Sequence, residues 1–332
     1  MSKQKKLGQF NTKPDIAKSI VGYTRFNKNV DVLEPSSGSG NFVNALKDEG
    51  YNNIDFFELD KKYEHTGAKI CDFLKEPITK KYDFIIGNPP YSSRKQKNSF
   101  YEGKFIEKLF IIKAFELLKQ GGEIWFILPN RIFTDKTFKD LRENFYKFNI
   151  FPHTISEMSP HAFEIDHPLN SLLVKFKHGK TKKVFTPIGD IDFSKLAEVG
   201  FNYQKAYTEK RFTGKYSLAD FIKPHKFPKP EDAWKISIAN METFDEKTIE
   251  DYKEYYLLVA RVGNSSAGKF IIVDTDYFNT NDCFYTFKIE KGFEKLVRDN
   301  MKDARFAVYI TILSIRVGQK SIKIDDILSY KF

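Results

Sequence analysis

The chain has 332 residues, enough for two domains that each bury a core, and 54 Lys and Arg against 44 Asp and Glu leave a formal net charge of +10. That excess favours a polyanionic partner, while two distant cysteines, Cys71 and Cys283, with no CxxC or Cys/His cluster, exclude a disulfide framework and a structural zinc, so that no metal is expected. The N-terminal MSKQKKLGQFNTK lacks an apolar core and no apolar run approaches a membrane span, which reads as a soluble, cytoplasmic protein with no membrane partner.

Between Val30 and Lys177 short apolar runs alternate with amphipathic stretches, the pattern of an α/β, doubly wound parallel sheet wrapped by helices. Strands are expected at 30–35, 54–60, 82–88, 123–129, 153–158 and 170–177, and the first four are mostly continuous in hydrophobic residues, as strands covered on both faces should be. Phe105, Leu109, Ile112 and Phe110, Ala114, Leu117 recur at helical spacing, with Gly121-Gly122 as the expected end of that helix. A second helix is expected to open at Thr134, with Phe138, Leu141, Phe145 and Phe148 along one face. After Lys177 the alternation stops. The basic, turn-rich stretch 178–190 reads as a linker, which divides the chain near residue 185 into an α/β domain, 1–185, and a smaller α+β domain, 186–332. Within the latter, the runs 255–262 and 270–276 flank Gly263-Asn264-Ser265-Ser266-Ala267-Gly268-Lys269 and predict a hairpin with a long polar tip.

The first strand leads into Glu34-Pro35-Ser36-Ser37-Gly38-Ser39-Gly40-Asn41 and then an amphipathic helix. A turn carrying Ser36, Gly38 and Gly40 lets a ligand approach the backbone closely. It lacks the GK[ST] ending and the GxGxxG spacing, so it is not a phosphate loop. An acid at the strand tip suits a cation, and the methionine ammonium of S-adenosylmethionine is such a ligand, bonded by Glu34 directly or through water. An ordinary tight turn is the plain alternative. Glu58, at the end of the second strand, has the spacing of an acceptor for ribose hydroxyls, with Asp60 as a weaker candidate. Asp72 can accept from an adenine amino group and Phe73 can pack on its ring. Three acids in order along one sheet edge favour a cofactor over solvated surface residues.

The fourth strand ends in Asn88-Pro89-Pro90-Tyr91. The prolines stiffen the backbone and remove two N–H donors, leaving carbonyls free to accept. An exocyclic amine conjugated to a purine is a poor nucleophile because its lone pair is delocalised. The Asn88 side-chain oxygen and the Pro89 carbonyl can take its two N–H bonds and favour tetrahedral nitrogen, while Tyr91 stacks on the base. A base inside a duplex must be flipped out to reach such a site. An RNA adenine or a protein glutamine amide poses the same problem of a planar nitrogen, and the tetrad alone does not separate these acceptors.

The ordered set LGQFNTKPDIAKSI (7–20), VLEPSSGSGNF (32–42), FELD (57–60), CDF (71–73), NPPY (88–91) and the helix FIIKAFELLKQGG (110–122) resembles the γ-class, amino-first adenine-N6 DNA methyltransferases of restriction-modification systems. The resemblance covers roughly the first half of the chain. It implies a seven-stranded class I methyltransferase sheet with S-adenosylmethionine across its edge, then a target-recognition domain. It also implies double-stranded DNA as substrate and a cognate restriction endonuclease, encoded separately, as a partner. Carried over by position, Gln9, Phe10 and Thr12 touch the methionine end of the cofactor, Phe110 packs against its adenine, and Phe163 stacks on the flipped base opposite Tyr91. The family's Thr-Pro pair is interrupted here as Thr12-Lys13-Pro14.

Arg94, Lys95 and Lys97, beside the tetrad, are candidates for phosphate contacts, with a solvated loop as the alternative. Arg261, Asn264, Ser265 and Lys269 at the hairpin tip are base-reading candidates. A DNA-binding subunit that has lost catalysis is the remaining alternative. The presence together of Asn88, Pro89, Tyr91, Glu34 and both glycines argues against it. No PD…(D/E)xK nuclease arrangement stands out.

Overall fold

The computed structural model describes residues 10–90, 105–164, 171–226, 234–236, 254–261, 267–274, 278–280, 283–313 and 322–332. They fall into two compact units, Met1–Tyr203 and Gln204–Phe332.

In the first unit, β1 (Val32–Glu34), β2 (Ile54–Glu58), β3 (Lys69–Ile70), β4 (Tyr82–Gly87), β5 (Leu118–Pro129), β6 (Ile150–Glu157) and β7 (Ser171–His178) form one sheet in the order β3-β2-β1-β4-β5-β7-β6. The first five strands run parallel, and β7 is antiparallel to both β5 and β6. This is the class I methyltransferase arrangement. The winding direction reverses between β1 and β4, so a crevice forms at their carboxyl ends, where open α/β sheets bind ligands.

Apolar layers on both faces explain the continuous hydrophobic strands. One layer packs α1 (Pro14–Gly22) and α2 (Asn41–Asp48) through Ala17, Val21, Phe42 and Leu46 into a cluster with Val32, Phe84, Ile86 and Ile127. The other is aromatic and involves α3 (Ile106–Leu117) and α4 (Lys139–Phe148). There Phe145 meets Phe115, Phe176 and Phe201 at ring separations of 6.0, 5.7 and 5.1 Å. Phe145→Ala should therefore cost about 3–5 kcal/mol by emptying that cluster. A urea midpoint unchanged from the parent would refute the packing.

Three local expectations need correction. Helix α3 ends at Leu117, before Gly121-Gly122. Gly121 takes φ of +82°, a turn conformation that glycine adopts without strain, and a Cβ on Gly122 would stand 2.6 Å from the Asp83 carbonyl oxygen, so Gly122 serves the close approach of β5 to β4. Lys119 beside them bridges Asp31 at 2.7 Å and Asp83 at 2.9 Å, and with Lys80 holds the Asp31 carboxyl below its ordinary range. Helix α4 starts at Lys139 rather than Thr134, after a 3-10 turn that Asp135 caps. Finally, the division falls at Tyr203, later than residue 185. The short strands β8 (Lys183–Val184) and β9 (Ile191–Asp192) lead to α5 (Phe193–Glu198), which returns Phe193 to Phe151 at 5.1 Å. Tyr203 donates its hydroxyl to Asn130 Oδ1 at 3.0 Å.

The second unit holds an antiparallel sheet in the order β10 (Ile222–Pro224), β15 (Phe284–Ile289), β12 (Tyr256–Ala260), β13 (Phe270–Val273), and a parallel pair of β11 (Trp234–Ile236) with β14 (Phe278–Thr280). Strands β12 and β13 pair from Tyr256↔Val273 to Val259↔Phe270, the expected hairpin. Alternation along β12 sends Leu257 and Val259 into a core with α6 (Glu294–Lys302), α7 (Ala304–Leu313) and α8 (Ile324–Leu328), while Tyr256, Leu258 and Ala260 form a second cluster with Phe284. Among the described residues no helix is long and apolar enough to cross a membrane. None of their His, Cys, Asp and Glu side chains gather in a group that could hold a metal ion.

Candidate active site

A cleft of about 220 Å³ lies at the carboxyl edge of the first unit's sheet. Its floor is the turn between β1 and α2. Gly38 has φ of +51° and Gly40, the residue before α2, has φ of +81°, conformations open to glycine at no steric cost. Glu34 ends β1 and is 1% exposed. Its Oε1 accepts the Ser36 N–H at 3.1 Å, while its buried Oε2 has no hydrogen-bond partner. Burial pushes this carboxyl up to about 8, with the Glu58 charge adding to the rise and the Ser36 N–H opposing it.

Glu58, at the tip of β2, is buried and held by backbone amides. Gly38 N donates to Oε2 at 2.8 Å, and Leu59 N and Asp60 N donate to Oε1 at 2.8 Å each. It therefore fixes the glycine turn as well as lining the cleft. Asp60 is buried and caps the following 3-10 turn by accepting from Lys62 N, so it serves that turn. After β3, Asp72 Oδ1 accepts from Leu74 N at 3.1 Å at the cleft wall. Phe73 and Phe110 face each other with ring centroids 5.3 Å apart and planes inclined by 31°, an aromatic wall suited to a purine.

The opposite side is closed by the N-terminal segment. Asn88 Nδ2 donates to the Phe10 carbonyl at 2.6 Å and to Thr12 Oγ1 at 3.3 Å, and Ser36 Oγ reaches the Asn88 carbonyl at 3.4 Å. A carbonyl can only accept, so the Phe10 contact fixes which end of the amide is nitrogen. The Asn88 side-chain oxygen is thereby left buried without a partner.

Ten of the expected residues thus line one cleft: Phe10, Thr12, Ser36, Gly38, Glu58, Asp72, Phe73, Asn88, Pro90 and Phe110. Glu34, Gly40 and Pro89 are not in its lining, although each adjoins a lining residue in sequence, Pro35, Ser39 and Asn88. Phe163 does not join them. It is 1% exposed, forms a backbone bridge with Thr12, and belongs to the core cluster of Ile86, Trp125 and Leu173, so its ring does not wall the cleft. Its neighbours in sequence signal a stacking aromatic, whereas the N-terminal segment that covers it is a long-range feature. In the second unit, the Arg261 guanidinium lies 5.8 Å over the Tyr285 ring, and Lys269 is exposed. Gln9, Tyr91, Arg94, Lys95, Lys97, Asn264 and Ser265 lie outside the described residues.

Residue-by-residue reading overlooks Gly87, where a Cβ would fall 2.2 Å from Glu34 Oε1, so that only glycine leaves room for the acid. A glycine interrupting the buried run before Asn88 was the available signal. It also overlooks Leu59, 57% exposed at the cleft, where an apolar side chain directly after an acid at a strand tip is out of place on a surface.

These groups fit S-adenosylmethionine. The unpartnered Glu34 oxygen calls for a cationic donor, the glycine turn admits a close backbone approach, Glu58 and Asp72 offer acceptors, and Phe73 with Phe110 offers an adenine wall.

A model of the Eco57I restriction-modification methylase family matches residues 9–159. The chain is 34% identical over 199 residues to the type II methyltransferase M.HincII of Haemophilus influenzae, across 55% of this chain and 39% of that one. It is 24% identical over 345 residues to the type II methyltransferase M.AccI of Acinetobacter calcoaceticus, across 90% and 61%. The chain therefore spans less than two thirds of either relative. Among solved structures, the type IIL restriction-modification enzyme MmeI in complex with DNA is similar over 96% of this chain and 64% of its own, with a TM-score of 0.56 at 10% identity, a likeness of fold. Sheet order, cleft and family match agree: residues 9–159 carry the class I methyltransferase fold and match the Eco57I restriction-modification methylase family, for which S-adenosylmethionine is the methyl donor.

Proposed function

We propose that the chain is a site-specific DNA methyltransferase that modifies adenine N6 on a base flipped out of duplex DNA. The observation that carries this reading is the Asn88 amide, whose nitrogen is spent on Phe10 and Thr12 and whose oxygen faces no donor. That oxygen and the Pro89 carbonyl are the acceptors for the two amine N–H groups, and their pull draws the lone pair out of conjugation as the N–C bond forms. S-adenosylmethionine supplies the methyl group from a sulfonium that departs as a neutral thioether. The amine then loses one proton to solvent. Phe73 and Phe110 orient the donor, Glu34 holds its ammonium end, and Tyr91 stacks on the target base.

The net charge of +10 and the likeness to type II methyltransferases and to a restriction-modification methylase family favour DNA over RNA or a protein glutamine amide. In this reading residues 204–332 recognise the target. Arg94, Lys95 and Lys97 contact phosphates, Arg261, Asn264, Ser265 and Lys269 meet base edges, and the protein works in the cytoplasm beside a separately encoded restriction endonuclease. The test is transfer of labelled methyl from S-adenosylmethionine to duplex DNA, followed by nucleoside analysis. N6-methyladenine is the expected product. Label on RNA or protein alone would overturn the assignment.

A further inference from the structure

Glu164 is exposed and follows the 3-10 turn Pro160–Ala162, yet its carboxylate gathers donors from two separate stretches of chain. Asn11 Nδ2 reaches Oε2 at 2.9 Å, while Ser39 Oγ and Asn41 Nδ2 reach Oε1 at 3.3 and 3.1 Å. The backbone repeats the connection: Glu164 N donates to the Asn11 carbonyl at 3.0 Å and Lys13 N to the Ala162 carbonyl at 2.9 Å. Asn41 Nδ2 also donates to the Thr12 carbonyl at 2.8 Å. An ionised carboxylate is an acceptor at every position, which matches a set made only of donors, and the first turn of α2 beside it favours a negative charge.

Residues 39 and 41 belong to the cofactor turn, and Phe10 and Thr12 hold the Asn88 nitrogen. We propose that Glu164 is a positioning residue that clamps the N-terminal segment onto the cofactor turn and so keeps the Asn88 oxygen free for the target amine. The inference rests on the methyl-transfer reading of Asn88. Without the carboxylate the segment keeps its backbone bonds to Ala162 and Glu164 and the Asn41 contact to Thr12, but it loses the carboxylate's ties to the cofactor turn; Phe10 and Thr12 are then held less firmly, the amide can turn over, and an N–H₂ group would face the amine it must accept from. Cofactor affinity and turnover should therefore fall together.

The experiment uses the full chain and the variants Glu164→Ala, Glu164→Gln, Asn11→Ala and Glu164→Ala with Asn11→Ala. S-adenosylmethionine affinity is measured by calorimetry without DNA, kcat at saturating cofactor, and the melting midpoint alongside. Glu164→Ala should weaken cofactor binding and lower kcat by about tenfold each, with a midpoint close to the parent's because the residue is exposed. Glu164→Gln, which keeps one acceptor, should lose less in both. The double variant should lose less than the two singles combined, since both break the Asn11–Glu164 contact, although Asn11→Ala also gives up its 3.0 Å bond to the Tyr63 hydroxyl and Glu164→Ala its bonds to Ser39 and Asn41. Parent-like affinity and kcat in Glu164→Ala, or losses that simply add in the double, would overturn the clamp. Should Glu164→Ala not fold, Glu164→Gln and Asn11→Ala carry the same comparison. The calorimetric arm contains no acceptor, so failure to methylate DNA sinks the proposed function while leaving the clamp's hold on the cofactor separately measured.

Discussion

Asn88→Ala is expected to lower kcat for methyl transfer by about 10²- to 10³-fold, the effect of deleting one preorganised hydrogen-bonding group at a site of developing charge. Cofactor affinity should change much less, because the cleft's other lining groups remain. The Phe10 carbonyl and Thr12 hydroxyl would lose a partner, so some weakening is expected. Single-turnover methylation with saturating S-adenosylmethionine isolates the chemical step. Asn88→Asp is the informative companion. It keeps an acceptor for the amine but turns a second oxygen toward the Phe10 carbonyl, so it should retain more of the chemical rate than Asn88→Ala and bind cofactor less well. Equal chemical rates in the two variants would mean that the acceptor oxygen is not what Asn88 contributes.

Glu34→Gln should have opposite effects on binding and on stability. A carboxyl pushed up to about 8 is largely protonated at neutral pH, and an ammonium docking on it would draw it into the ionised form. Cofactor binding at pH 7 should then release about 0.9 proton, a quantity that fades above pH 9. Calorimetry in two buffers of different ionisation enthalpy reads it directly. Glu34→Gln should abolish the release and weaken binding by about 10- to 100-fold through loss of a charged hydrogen bond. In the free protein the sign is the reverse. The folded-state value lies above the ordinary carboxyl value of 4.5, so the unfolded chain ionises first, and the parent loses stability as pH rises from about 4.5 to about 8. Glutamine does not ionise. The variant should therefore melt higher than the parent at pH 8, by about 2–8 °C, and match it near pH 4.5. A lower midpoint at pH 8 would show that the ionised carboxylate has a stabilising partner in the free protein.

What could be read from residues alone was local. Strands β1, β2 and β4 announce themselves because each is apolar along its length and ends in a polar group at the cleft, Glu34, Glu58 or Asn88. The two-residue strand β3 carries no such pattern, and only the spacing of Asp72 from Glu58 hinted at another strand tip. The end of α3 was misplaced because glycine marks both helix caps and close strand approaches, and the deciding contact is with Asp83, far back in the chain. The unit boundary falls later than residue 185 for a related reason: the basic, turn-rich stretch 178–190 reads as a linker, and nothing local shows that Phe193 and Phe201 beyond it pack back on Phe151 and Phe145. Long-range pairing also hid Glu164 and enclosed Phe163. Both lie against an N-terminal segment some 150 residues earlier in the chain.

The strand order has a consequence for how such a protein can diverge. Strands β1 and β4 pair directly, Val32 opposite Phe84 and Leu33 opposite Ile85, so the acid that ends one stands on the strand next to the amide that follows the other, two residues short of it by register. The groups assigned to methyl donor and acceptor share one foundation whose dimensions depend on the first unit alone. Substitutions in residues 204–332 leave that pairing untouched, because both strands belong to the first unit.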